Sequence, residues 1–299
     1  PDSFANTFNA LQLMTPVVVG MAANSPFMLG HKLWHETRIP LFKQAIDGRS
    51  HEECSRELPS RVDFGTGWVR EGAYELFAEM VRLYQPILPI CSDEDALEVV
   101  ASGGVPELHE LRLHSGTVWP WNRAVYDPQD GGHLRIEMRS LPAGPTPCDM
   151  VANAAFSLGA AKGLQSQMDE IIPAMPFSTL ANNFYQAAKK GINAELMWPL
   201  LDQPGKLRKI PIKEIAKGLI PVARAGLDEL GVDSAEADYY LGIMQKRIES
   251  GMNGAVWQRR EYLRLCRRTN SSQALSRMVQ NYMNFSAQNQ PVSTWVNHD

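Results

Sequence analysis

The chain has 299 residues, 44% of them hydrophobic and 21% charged, with a formal net charge of -4. That is the composition of an ordinary globular protein and gives no reason for general nucleic-acid or membrane affinity. No run of 18 or more apolar residues exists, so no membrane span is predicted. Cys54, Cys91, Cys148 and Cys266 form neither CxxC nor Cys/His metal spacings, as suits a reducing cytoplasm. The start, PDSFANTF, has no initiator Met and no signal-peptide pattern, and reads as a processed end, so the chain is expected to be the C-terminal part of a longer protein.

In chain order, residues 4–23 read as a helix running into the apolar segment TPVVVGMAA, stopped at the loop Asn24-Ser25-Pro26. Residues 31–47 are predicted helical, with Gly48 ending them and His31 and Arg38 on one face. HEECSRELPSRVDFGTGW has no clear period and reads mostly as loop. Tyr74, Phe77, Val81 and Tyr84 recur at helical spacing within 70–84, and Pro86 and Pro89 follow.

A hairpin is predicted next. Its strands are Thr117–Tyr126 and His133–Ser140, joined by DPQDGG. In HLRIEMRS, the apolar Leu134, Ile136 and Met138 alternate with the charged Arg135, Glu137 and Arg139. Strand side chains alternate in direction, so the three charged groups share one face, about 7 Å apart per two-residue step. Such a row can hold a cation through its carboxylate and anionic oxygens through its guanidinium forks. It can equally be a solvated face. Trp119, Trp121 and Arg123 share one parity of the partner strand, with the tryptophans read as packing and Arg123 at the mouth of the same surface.

Residues 147–167 read as a helix with Asp149 near its start, where a carboxylate favours the dipole. Beyond residue 178 the chain reads as almost wholly helical: 178–190, 212–230, 234–251, 254–268 and 271–287. The expected class is α+β, with a β-containing region over 1–200 and a helical region over 201–299, the Pro-rich 199–211 marking the change. The arginines at 259, 260, 264, 267 and 268 are either a solvated, salt-bridging helix face or a nucleic-acid surface; the negative net charge favours the first.

ANSPF at 23–27, Arg38, TVWPWNR at 117–123, HLRIEMRSLPAGPT at 133–146 with Asp149, ANAAF at 152–156 and YQAAKKGINAEL at 185–196 together resemble glutamate–cysteine ligase family 2. These are ATP-dependent carboxylate–amine ligases related to glutamine synthetase, and the resemblance covers about 170 residues. It implies a partial antiparallel sheet of the glutamine-synthetase type with a large helical C-terminal region. It also implies ATP and Mg²⁺ as cofactors, glutamate and an amine such as cysteine as substrates, and a γ-glutamyl phosphate intermediate. The family's E-x-R element matches Glu137, as Mg²⁺ ligand, and Arg139, as anion clamp, with Arg135 alongside as a further catalytic candidate. Arg123, Arg38, Asn24 and Ser25 match positions of the substrate and phosphate pocket. Neither nucleic acid nor membrane is implied as a partner; a homo-oligomer and a missing N-terminal part are both compatible. One departure stands out. The family begins with a strand of closely spaced glutamates, and nothing before Asn24 fits it, which leaves open a non-catalytic or partner-dependent portion of such a ligase.

Overall fold

The computed structural model describes residues 2–200 and 206–295. The first helix, α1 (Asp2–Ala22), carries Pro16 inside it. A two-residue hairpin follows, β1 (Phe27–Met28) with β2 (His31–Lys32), Phe27 facing Lys32 and Met28 facing His31. Its turn residues Leu29 and Gly30 both have positive φ. This overturns the predicted helix at 31–47: the chain turns back at Gly30, and helix α2 (Arg38–Ala45) begins eight residues later. Pro40 then falls in the first turn, where its missing N–H costs nothing. Arg38 therefore starts a helix and does not share one with His31.

Within the segment read as loop, α3 (His51–Ser55) forms one short helix. Ser50 and Glu53 make a reciprocal capping box there, a signal present in the sequence as S-x-x-E. Next come α4 (Ala73–Leu83), α5 (Ala96–Ala101) and α6 (His109–Ser115). The predicted hairpin is β3 (Asn122–Asp127) with β4 (His133–Met138), antiparallel, Arg123 opposite Glu137 and Val125 opposite Arg135. Thr117–Trp121 is not part of the strand, although Trp119 and Trp121 donate backbone N–H groups to the carbonyls of Arg61 and Asp63.

The second half holds α7 (Pro147–Leu164), α8 (Met168–Ala174) and α9 (Phe177–Lys190). After them come the strands β5 (Glu195–Pro199) and β6 (Leu207–Pro211), antiparallel partners in the stretch between the predicted helices 178–190 and 212–230, where no strand was predicted. The run ELMWP is short and apolar, too brief for periodicity to separate strand from helix. Four helices complete the chain: α10 (Ile212–Glu229), α11 (Ser234–Ser250), α12 (Gly254–Cys266) and α13 (Ser271–Ala287). The expected change of region at 200/201 falls beside residues 201–205, which lie outside the described residues; β5 and β6 pair across that stretch. Among the described residues the strands pair only in twos, and no helix is long and apolar enough to cross a membrane.

The chain packs as two compact units, Pro1–Phe8 with Pro40–Arg139, and Asn9–Ile39 with Ser140–Asp299. In the first, Phe4, Ala5 and Phe8 pack with Val69, Leu76 and Ile136, which covers the apolar face of β4. In the second, α7 and α10 cross so closely that a Cβ on Gly226 would overlap the Gly159 carbonyl oxygen. Glycine here serves contact, not turn geometry. Inside the same unit Trp257, Tyr282, Phe285 and Trp295 meet ring to ring, with Trp257–Trp295 centroids 5.0 Å apart.

Candidate functional site

The alternation along β4 places its charged side chains on one face, and β3 extends that face. Arg123 stands directly across from Glu137. Its Nη2 donates to Glu137 Oε2 at 3.1 Å, while Arg139 Nε meets Glu137 Oε1 at 3.1 Å. Two guanidiniums thus share one carboxylate. Arg123 is fixed further by Nη1 donating to the Ser115 carbonyl at 3.0 Å. The Arg139 guanidinium lies over the Phe42 ring, 5.9 Å from its centroid, and Phe42 in turn meets the buried Trp121 edge-on at 5.8 Å. These contacts fix both forks while leaving them partly open to water, with side-chain exposures of 23% each. Trp121, 2% exposed, is packing, as its spacing predicted.

Arg135 shares the face but not the cluster. It donates to Asp127 at 2.8 Å and touches His133. The register selects Asp127 as its partner. That bond, together with the Gln129 N–H, holds the Asp127 carboxyl below its ordinary range. The opposite face of the hairpin is apolar: Tyr126 and Leu134 border a groove of about 730 Å³ with Phe77, Val81 and Leu111.

The other candidates belong to the second unit and gather around a residue the sequence did not single out, Glu36. Its carboxylate is buried, 2% exposed, and accepts from the Asn24 backbone N–H at 2.8 Å and from Arg38 Nε at 3.2 Å. Arg38 also donates through Nη2 to the carbonyls of Ser140 and Leu141, and its own N–H donates to Ser25 Oγ. Asn24 is held from every side. Its amide donates to the Ala143 carbonyl and the Tyr282 hydroxyl, and its oxygen accepts from Gln258. Asn24, Ser25 and Arg38 therefore form one hydrogen-bonded clasp. A carboxylate two residues before Arg38 was the only trace of Glu36 in the sequence, and no period marks it.

Beside the clasp lies His35, buried against Arg259, whose Nη1 is 3.0 Å from His35 Nε2. Burial first, and then the Arg259 charge, lowers its pKa to about 4, so the ring is neutral at pH 7. The arginine run of α12 is divided in the same way. Arg259 turns inward to His35 and Leu33, and Arg264 pairs with Glu261, while Arg260, Arg267 and Arg268 stay exposed.

The donor chemistry separates the expected ligands. Two anchored guanidinium forks suit phosphate or carboxylate oxygens. A free divalent cation is a different matter. Both Glu137 oxygens already accept from arginines, and among the described residues no group of three or more His, Cys, Asp or Glu could hold a metal. The Mg²⁺ role expected for Glu137 would have to share those oxygens with the two arginines, and no step below runs through a metal.

Comparison with protein families places the fold and this charge row in context. The sequence profile of glutamate–cysteine ligase family 2 matches residues 2–281, and the chain belongs to that family. The match takes in nearly all of this chain, including the helices beyond residue 200, and is not confined to the motif-bearing stretch. No protein of curated function matches the chain.

Proposed function

We propose that this protein is an ATP-dependent carboxylate–amine ligase that activates the γ-carboxyl of glutamate and joins it to an amine such as cysteine, with β3–β4 as part of a sheet of the glutamine-synthetase type. The observation that carries the reading, within a chain of this family, is the Arg123–Glu137–Arg139 row, two anchored guanidiniums that share one carboxylate and stay partly open to water. In the reaction, a glutamate carboxylate oxygen attacks the terminal phosphorus of ATP and ADP leaves. The amine nitrogen then attacks the acyl carbon and phosphate leaves. Phosphoryl transfer depends chiefly on positioning and on neutralising charge spread over the phosphoryl oxygens. Arg139, stacked on Phe42, and Arg123, anchored on Ser115, supply that neutralisation in this reading. Glu137 keeps the two forks from repelling each other.

The test is ADP release from ATP. It should require glutamate and an amine together, and Arg139→Ala should lower the rate about 10²- to 10³-fold, the usual cost of losing one charge-stabilising donor. ADP formation indifferent to both substrates sinks the reading. A second reading, a portion that needs a partner to complete catalysis, is favoured by both Glu137 oxygens already meeting arginines. It predicts that titration calorimetry with Mg-ATP gives no binding to the isolated chain.

A further inference from the structure

Between α6 and the outer end of β3–β4 lies a recess of about 200 Å³, lined by Arg112, Arg123, Arg135, Asp127 and Ser115 among others. Sites for drug-sized ligands run from about 300 to 1,000 Å³, so this space is too small for a nucleotide. Its lining carries three guanidiniums against one carboxylate. Glu107 and Glu137, which pair with Arg112 and Arg123, do not line it.

The pairings leave suitable donors over. Arg112 bonds to Glu107 through Nη1, and Arg135 bonds to Asp127 and His133 through Nη1. The Nε–Nη2 edge of each, the fork that matches an oxyanion bidentately, has no protein partner among the described residues. Arg123 Nε, at the wall, is buried and has no acceptor. The Ser115 carbonyl, which would repel an anion, is already occupied by Arg123. The remaining unfavourable group is the Asp127 carboxylate, held at one side by Arg135 and the Gln129 N–H.

We propose that this recess is a binding site for a compact dianion, phosphate or a short dicarboxylate, gripped by Arg112, Arg123 and Arg135. The site stands on its own geometry and does not rest on the ligase reading. Its ligand reaches the outer side of Arg123, away from the bond to Glu137, so occupancy adds acceptors to a guanidinium that the charge row also uses.

Titration calorimetry of the full chain at low ionic strength, with inorganic phosphate and separately with malonate, tests it without any turnover. Saturable binding of either anion is expected, and which one binds identifies the source of the dianion. Arg112→Gln and Arg135→Gln should each weaken that binding about tenfold, the equivalent of roughly 1.4 kcal/mol. Asp127→Asn keeps the acceptor for the Gln129 N–H, removes the repelling charge and should tighten binding severalfold. A misfolded variant cannot produce that gain. No saturable binding of either anion overturns the proposal, as do affinities that ignore the arginine substitutions or a D127N variant no tighter than the parent.

Discussion

Two arginine–carboxylate arrangements in this chain look alike on paper and do opposite work. On β3–β4, Glu137 holds Arg123 and Arg139 at a surface where all three keep contact with water. In the other unit, Arg247 and Asp149 meet at 2.8 Å with side-chain exposures of 1% and 0%. Asp149 Oδ2 also accepts from the Thr146 hydroxyl and the Val292 N–H, and Arg247 donates to Asn153. The buried pair has its polar groups turned to the protein and ties helix α7 to α11 and to the segment around Val292. The exposed row keeps its guanidinium forks partly open to solvent. Solvent access, rather than residue type, separates scaffold from candidate chemistry.

The sharpest way to break this comparison is to remove one partner of each arrangement. Arg247→Ala strands a buried carboxylate and should cost about 3–5 kcal/mol, read as a lowered midpoint in urea unfolding. Arg247→Met, which leaves Asp149 equally unpaired, should be no better, whereas the double change Asp149→Leu with Arg247→Met should recover much of the loss. A smaller effect is expected from pH. His35 is neutral in the fold with a pKa of about 4, against about 6.5 when unfolded. The unfolded state therefore takes up the proton first, and stability should fall as pH drops from about 6.5 toward 4, by at most about 3 kcal/mol. His35→Gln should flatten that part of the curve in thermal melts across the range. The smallest change is expected at the exposed row. Glu137→Gln should shift unfolding by less than about 1 kcal/mol, because partly exposed ion pairs contribute little. The same variant should lose ADP release by a far larger factor. A large stability loss there would erase the distinction drawn between the two arrangements.

Legibility in the sequence followed the range of the physical signal. Period-2 alternation marked β4 and put Arg135, Glu137 and Arg139 on one face, and the register of the hairpin then brought Arg123 opposite Glu137. The long amphipathic helices α10 to α13 were legible for the same reason. The hairpin β1–β2 was missed because two-residue strands have no period, and a helical reading of 31–47 absorbed them. The hairpin β5–β6 was missed because strands of five residues are too short for a period to mark them. The clasp of Asn24, Ser25 and Arg38 was named residue by residue, but Glu36 at its centre was not, since a lone buried carboxylate leaves no local pattern.

Local order, then, was set by the sequence alone: which segments become helix or strand, and which charges share a strand face, because neighbouring side chains on one backbone obey a fixed geometry. Partner choice belonged to the tertiary structure. Arg135 went to Asp127, Arg259 to His35, and Arg247 to an aspartate far away in the chain, because burial and register decide which opposite charge comes within reach. The same sheet geometry gave Glu137, expected from the sequence as a metal ligand, an arginine partner for each of its two oxygens.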